Sequence, residues 1–479
     1  MIVTRIAPSP TGEPHVGTAY QALLNYVFAR ANHGKFIVRI EDTDRTRFRE
    51  DFVGRILEML DWLGLTPDES SVVGGPHAPY VQSERLPIYR TYAEQLLERG
   101  RAYRAFDTPD ELTAMREEAE RSGASHRGYN RRYRDLSPEE SQARADRGEP
   151  FVIRLKVPLT GKTTVNDQLR GKVEFDNTEL DDKVLLKSDG FPTYHLAAMV
   201  DDHLMGITHV IRAEEWLVST PFHVLILGAL DWPEPQWIHT PLLRNPDKSK
   251  LSKRKSDTSV DSYRAQGILP QVLLNYLGLM AWSMPDGREI FSLDEMTEHF
   301  DLHRISLGAP VFDIEKLKWM NGKYLREVLS PDEVTEQLHS YLSRAGHTIP
   351  CDAYFKAIVQ MLIPRMDTFQ TFLQQTHYFW SEDFEYTPKA QELIQQSPGV
   401  IGDIQKHIEN LDPFEASSIL SLFKTYAKER ALKLNQVMPP IRAAVAGTLE
   451  SPDLDKMIET LGKHRVSERL TRALKHIHV

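Results

Sequence analysis

His15, Gly17, Lys250 and Lys253 are the residues whose types and settings most directly suggest chemistry. The first two end a stiff proline-rich crossing, Ala7-Pro8-Ser9-Pro10-Thr11-Gly12-Glu13-Pro14, ahead of a helical pattern. A helix beginning there offers unpaired backbone N–H groups and the positive end of a dipole, which suits a polyphosphate. His15 adds a ring N–H donor, and Gly17 removes a side chain where a flat base could approach the backbone. The lysines flank Leu251-Ser252 in Lys250-Leu251-Ser252-Lys253-Arg254, a loop introduced by Asn245-Pro246-Asp247-Lys248 and able to present several phosphate donors. Taken singly, each has a bland alternative: a turn with a surface histidine, or a solvated charge run.

The elements that must position these residues read as an α/β pattern. Met1 to Ile6 is a short β-branched strand, Ala19, Leu23, Tyr26 and Val27 recur at helical spacing, and Gly34 is the expected C-cap. Phe36 to Ile40 follows as a buried strand, completing a right-handed β-α-β unit, half of a doubly wound parallel sheet. No Gly-x-Gly-x-x-Gly is present, so the phosphate site is not of the dinucleotide kind. Glu41 falls just past a strand's carboxyl end, where a carboxylate could fix a substrate ammonium. A second half returns at Phe191 to Leu196, Thr208 to Arg212, a helix over Leu217 to Leu230, and a strand over Gln236 to Leu243 that delivers the lysine loop. This reading puts Tyr194 and Arg212 at strand ends. His195, Asp202 and His203 invite a metal-site reading that their spacing does not support.

Between the halves lie a helix over Arg85 to Arg99 and helix starts at Thr108-Pro109-Asp110-Glu111 and Ser137-Pro138-Glu139-Glu140. A polar loop with Arg131 and Arg132 and strand-rich sequence over Phe151 to Phe175 complete this stretch. From Val260 onward the period is almost wholly helical, with breaks at Pro364, Pro388, Pro398, Pro413 and Pro439-Pro440, and no β-barrel pattern.

A chain of 479 residues implies several domains, and 41% hydrophobic with 26% charged residues is an ordinary soluble composition. The net charge of −10 argues against indiscriminate nucleic-acid binding, although residues 240–264 and 428–479 are locally basic. No secretory leader or membrane-length apolar run is visible. The single cysteine, Cys351, excludes an internal disulfide and a cysteine-cluster metal site. A cytoplasmic location is expected.

Order and separation of the His15-x-Gly17 and Lys250-to-Arg254 motifs resemble the two signatures of class I aminoacyl-tRNA synthetases. With Arg5 to Gly12, Arg39 to Asp44, Val200 to His203, Val210 to Arg212 and Trp319 to Lys323, the chain resembles the bacterial glutamyl-tRNA synthetases along nearly its whole length. The resemblance implies a Rossmann-like catalytic domain in two halves, 1–77 and 191–260, with an inserted α+β acceptor-stem-binding domain over 78–190. A helical stem-contact connector over 261–322 and an all-α anticodon-binding region over 323–479 would follow. It implies ATP-dependent activation of L-glutamate, then transfer to the terminal adenosine of tRNA(Glu), first at the 2′-hydroxyl, with magnesium accompanying ATP and a monomer as the expected state.

The same resemblance assigns Thr11, His15, Gly17, Glu215, Leu243, Lys250 and Lys253 to ATP, with His15, Lys250 and Lys253 catalytic. It assigns Arg5, Ala7, Ser9, Glu41, Tyr194 and Arg212 to glutamate, leaving open which arginine meets which carboxylate. No metal ligand is assigned. Some relatives carry a cysteine-ligated zinc in the insertion; here that neighbourhood reads Tyr103-Arg104-Ala105-Phe106, so zinc is not expected and apolar packing should replace it. The alternatives are a glutaminyl-tRNA synthetase, a glutamyl enzyme that also charges tRNA(Gln), or an inactive tRNA-binding paralogue. Arg365, beside Pro364, is the residue expected to read the third anticodon base: cytosine offers O2 and N3 acceptors to a guanidinium, whereas guanine presents donors. The bland reading of Arg365 is an ion pair with Asp367.

Overall fold

The computed structural model describes residues 1–44, 46–122, 128–251 and 258–476, which fall into two units. In the first, Met1–Ser262 with Leu273–Asp313, strand β1 (Val3–Ile6) runs parallel to β2 (Lys35–Val38), from Val3↔Lys35 to Ile6↔Val38. Helix α1 (Val16–Ala31) makes the crossover, burying Val16, Ala19, Leu23, Leu24 and Val27. Gly34 is not the cap. The helix ends at Asn32, His33 takes the left-handed conformation (φ 52°), and a Cβ on Gly34 would lie 2.3 Å from the carbonyl oxygen of Ile2. The glycine is needed for the close approach of helix end to β1.

Helix α2 (Glu50–Trp62) follows, then α3 (Leu86–Glu98). In the inserted stretch, strands β3 (Ala102–Ala105), β4 (Val152–Leu155) and a later β7 (Val184–Leu186) form an antiparallel sheet in the order β3-β4-β7. Helices α4 (Pro109–Arg121) and α5 (Pro138–Asp146) start as their sequences indicate, but only Thr108 closes a full capping box; Ser137 accepts from Glu140 N–H without the reciprocal bond. At the Tyr103-to-Phe106 neighbourhood, Tyr103, Phe106, Tyr129 and Tyr133 pack together, and the Tyr103 hydroxyl donates to Asp182 at 2.8 Å. Arg131 and Arg132 are engaged within this stretch, with Leu180 O and Glu111 respectively.

Strands β5 (Lys162–Asp167) and β6 (Gly171–Asp176) form a hairpin, and β8 (His209–Ala213) pairs in parallel with β9 (Gln236–Thr240). Asp167 pairs with Trp237, so the hairpin extends that sheet in the order β6-β5-β9-β8. Thr208 N–H donates to Val3 O at 3.0 Å, bringing β8 beside β1. The two halves therefore meet at a β1/β8 switch point, the expected ligand position in a doubly wound sheet.

The expected strand over Phe191 to Leu196 is instead the entry to helix α6 (Tyr194–Leu204), whose Leu196 to Asp202 are all buried. Two-sided burial erases the helical stripe, leaving a short apolar run that sequence cannot assign. The helix expected from Leu217 begins as a 3-10 turn, Glu214–Ser219, before α7 (Thr220–Ala229); Pro221 fits only a first helical turn.

The second unit, Tyr263–Val272 with Ile314–Val479, is helical, and no strand follows β9 among the described residues. Ser330 closes a capping box on Pro331–Arg344. Pro439 and Pro440 do not separate two helices; they lie inside Leu434–Ala446, where Val437, Pro440, Ile441 and Ala444 are buried, so packing outweighs the missing N–H groups. No helix among the described residues is long and apolar enough to cross a membrane.

Candidate active site

A cavity of about 1060 Å³ opens over the carboxyl ends of β1 and β8. Arg5, Ala7, Ser9, Thr11, His15, Gly17, Glu41, Tyr194, Arg212, Glu215, Leu243 and Lys250 all line it. Lys253 lies outside the described residues. Arg365 belongs to the second unit.

At one end, His15 is the N-cap of α1, and its Nδ1 accepts from Thr18 N–H at 3.3 Å. An accepting Nδ1 leaves the proton of the neutral ring on Nε2, which fixes the tautomer needed for donation. The ring folds back over Gly17, where an added Cβ would lie 2.9 Å from His15 Nδ1. Glycine is thus required by the histidine, whatever ligand approaches. The helix start is less open than the sequence suggests, because Val16 N–H already donates to Thr258 O at 3.0 Å. Lys250 is ion-paired with Glu215, so two expected nucleotide ligands hold each other.

The other end is built from buried charge. Arg5 grips Asp202 through Nε (3.1 Å) and a terminal nitrogen (3.3 Å). Arg39, fully buried, donates to Asp202 at 2.8 Å and to Glu41 at 3.0 Å. Arg85 donates to Asp201 at 2.8 Å, and Asp201 also accepts from Tyr89 and Gln82. Burial raises Asp202, but Arg5 and Arg39 outweigh it and hold the carboxyl below its usual range. For Glu41 the balance is opposite: burial wins over Arg39 and pushes it up.

Arg212 is different in kind. It is 6% exposed, and its hydrogen-bond acceptors are all neutral: His239 Nε2 (3.1 Å), Tyr194 Oη (2.8 Å), His223 Nδ1 (3.2 Å) and Thr220 Oγ1 (2.8 Å). Burial pulls its pKa down, and Arg5 adds repulsion that Tyr194 and Asp202 partly offset. Among the described residues no carboxylate pairs with it directly. A buried guanidinium at a cavity wall without a counter-charge is a site for an anion.

Sequence reasoning missed the supporting groups. His239 and His223 are buried and kept neutral, mainly by burial, with Asp167 opposing the effect at His239. Arg39 and Asp201 stood in quoted motifs without a role, and Arg85 and Gln82 carried no local signal. Tyr194 faces the cavity from the first turn of α6 rather than from a strand end. Asp202 is a partner of arginines, and His203 stacks on Trp232 at 3.9 Å. Among the described residues there is no group of three or more potential metal-ligating side chains.

Such a cavity, on a doubly wound sheet with a histidine-capped helix and a lysine loop, defines a nucleotide-using enzyme of the class I synthetase type. The family model described as "tRNA synthetases class I (E and Q), catalytic domain" matches residues 1–319, and "Anticodon binding domain" matches residues 333–474. A glutamate–tRNA ligase of Deinococcus radiodurans is 54% identical, covering 99% of this chain and 98% of its own. One from Thermus thermophilus is also 54% identical, covering 99% and 100%. A crystal structure of a glutamate tRNA ligase from Elizabethkingia meningosepticum, in complex with its amino acid, superposes with a TM-score of 0.88 at 36% identity over 99% of both chains. The chain belongs to the glutamate–tRNA ligase family of class I tRNA synthetases.

Proposed function

We propose that this enzyme joins L-glutamate to tRNA(Glu) in two steps that share the cavity described above. In the first, a carboxylate oxygen of glutamate attacks the α-phosphorus of ATP, the bond to the bridging oxygen breaks, and pyrophosphate leaves. In the second, a ribose hydroxyl of the tRNA's terminal adenosine attacks the glutamyl carbonyl and AMP leaves. Neither step needs a protein nucleophile; positioning and charge stabilisation suffice.

The reading of the amino acid rests on one observation: Arg212 is a buried guanidinium whose acceptors among the described residues are all neutral. The side-chain carboxylate of glutamate supplies the missing charge, with Tyr194 donating its hydroxyl proton to the same group. Arg5 repels Arg212, and an anion between them relieves that repulsion. Glu41, at the cavity end of the ion-pair network, accepts from the substrate ammonium, with Ser9 and the backbone of Ala7 beside it. His15 donates from Nε2 to the phosphates of ATP, and Lys250 reaches them on release from Glu215. Lys253 serves the same phosphates, and Lys250 is the second donor on that loop. Thr11, Gly17, Glu215 and Leu243 contact the nucleoside and its phosphates.

Magnesium enters with ATP as part of the substrate, and no zinc is required. Residues 1–77 and 191–260 carry the chemistry, 78–190 receive the acceptor end, 261–322 contact the stem, and 323–479 bind the anticodon. The enzyme works as a cytoplasmic monomer. ATP–pyrophosphate exchange dependent on L-glutamate, run with and without tRNA(Glu), tests the reaction. Failure of exchange under both conditions would refute it.

A further inference from the structure

We propose that His239, held by Asp167, is the positioning residue that aims Arg212, and that it thereby sets the preference for an acidic side chain over its amide. This rests on the reading above that glutamate occupies this cavity. The three side chains stand on three neighbouring strands: Asp167 ends β5, His239 lies on β9, and Arg212 lies on β8. Arg212 and His239 are register partners, so their side chains leave the same face of the sheet side by side. One carboxylate oxygen of Asp167 accepts from the backbone N–H groups of Leu169 and Arg170 (2.9 Å each) and closes the β5–β6 turn. The other accepts from His239 N–H (3.0 Å) and from Nδ1 (2.6 Å).

A carboxylate that close to Nδ1 places the ring proton there, and the lone pair on Nε2 is then left to accept from Arg212 Nε at 3.1 Å. The opposite tautomer would set two N–H groups against each other. Tyr194, His223 and Thr220 take three more guanidinium hydrogens, and the flat face lies over Trp237 at 5.3 Å. Four of the five N–H groups are therefore held by acceptors that carry no charge. The imidazole acts as a spacer: it keeps the Asp167 charge one ring away from the guanidinium, so the guanidinium is oriented without being neutralised. Arg5, gripped directly by Asp202, shows the alternative arrangement.

Two substitutions at His239 separate aiming from mere support. The amide oxygen of His239→Gln stands near the position of Nε2 and can still accept from Arg212. His239→Asn reaches only the position of Nδ1, keeps the contact with Asp167, and offers Arg212 nothing. The expected result is a loss of roughly 10- to 100-fold in kcat/KM for glutamate in His239→Asn, carried by KM, with the glutamate-to-glutamine ratio falling by a similar factor. His239→Gln should recover most of both, and KM for ATP should stay unchanged in each. A purely structural role predicts the reverse order, because the Asp167 contact would then matter most. Equal defects in the two variants, or wild-type selectivity in His239→Asn, would overturn the proposal. Should His239→Asn not fold, Asp167→Asn takes its place. Its amide can turn either end to His239, so the ring tautomer is read from the imidazole 15N shifts: a proton moved to Nε2 must bring the same fall in selectivity, a proton kept on Nδ1 must leave selectivity intact, and either mismatch would equally overturn the proposal. A wild-type protein without glutamate-dependent exchange would instead sink the assigned reaction itself, and this inference with it, before any variant is compared.

Discussion

Replacing Arg212 by glutamine removes a buried guanidinium at the cavity wall that has no direct carboxylate partner among the described residues. Removing one member of a buried, hydrogen-bonded charge pair costs about 2–5 kcal/mol, which at about 1.4 kcal/mol per tenfold is roughly a 30- to 5,000-fold loss in kcat/KM for glutamate. Stability should move the other way or not at all. In the free enzyme the Arg212 charge is desolvated with no carboxylate paired to it directly among the described residues, so its removal is neutral or slightly stabilising, within about 1 kcal/mol. Glutamate-dependent ATP–pyrophosphate exchange in the presence of tRNA gives the kinetic term, a glutamine competition gives selectivity, and thermal unfolding gives stability. Two results would refute the reasoning. One is exchange within about threefold of wild type at unchanged selectivity. The other is a Tm collapse, which would make Arg212 a structural residue whose neutral partners are enough to hold the fold.

Four further outcomes follow from the same geometry. Arg39→Met strips the fully buried partner of Asp202 and Glu41 and should lower stability by about 3–5 kcal/mol, read by denaturant unfolding. His15→Asn keeps a good N-cap but withdraws the Nε2 donor, so kcat should fall roughly 10²- to 10³-fold at nearly constant Tm. His195 is held down at about 4 from an ordinary 6.5, chiefly by burial, and His239 and His223 are also lowered; the unfolded chain therefore binds more protons, and unfolding free energy should decline as pH drops from about 6.5 towards 4. Arg365 pairs with Asp453 (2.9 Å) and Ser451 O (2.8 Å), not with Asp367, which Arg326 takes; Arg365→Gln should cost at most about 1 kcal/mol of stability yet relax discrimination between cytosine- and guanine-bearing anticodons by about 1–3 kcal/mol, read as kcat/KM on both transcripts at one salt concentration.

What the sequence could show was whatever is local. The proline-rich crossing, the helix starts at Thr108 and Ser137 and the 3.6-residue period beyond Val260 are set by neighbouring residues, and the structure has each of them. Tyr194 was misplaced because α6 is buried on all sides and carries no polar stripe. Gly34 was misread because its reason is the Ile2 carbonyl, which lies more than thirty residues away in the chain. Arg5, Glu41 and Arg212 were legible as cavity residues through motif resemblance. Their partners were not: His239 meets Arg212, and Asp167 meets His239, through the parallel register of β8, β9 and β5, while His223 reaches Arg212 from α7, and no spacing along the chain encodes either meeting.

Arg5 and Arg212 look alike in sequence, and the difference between them explains how one pocket can be both stable and attractive to an anion. Arg5, Arg39 and Arg85 stand against Glu41, Asp201 and Asp202, three cations to three anions, all buried and mutually hydrogen-bonded. A balanced group of this kind can be desolvated without a large residual field, and it holds Arg5 and Glu41 rigidly at the cavity wall. It cannot by itself attract a net charge. Arg212 supplies that attraction because its surroundings are polar but neutral, with the Asp167 charge kept beyond an imidazole ring. A second carboxylate in place of His239 would make the free protein more comfortable and would cancel the field a glutamate side chain needs. A glutamine ligand would gain hydrogen bonds here but leave the Arg212 charge uncompensated, so the pocket discriminates through charge more than through shape.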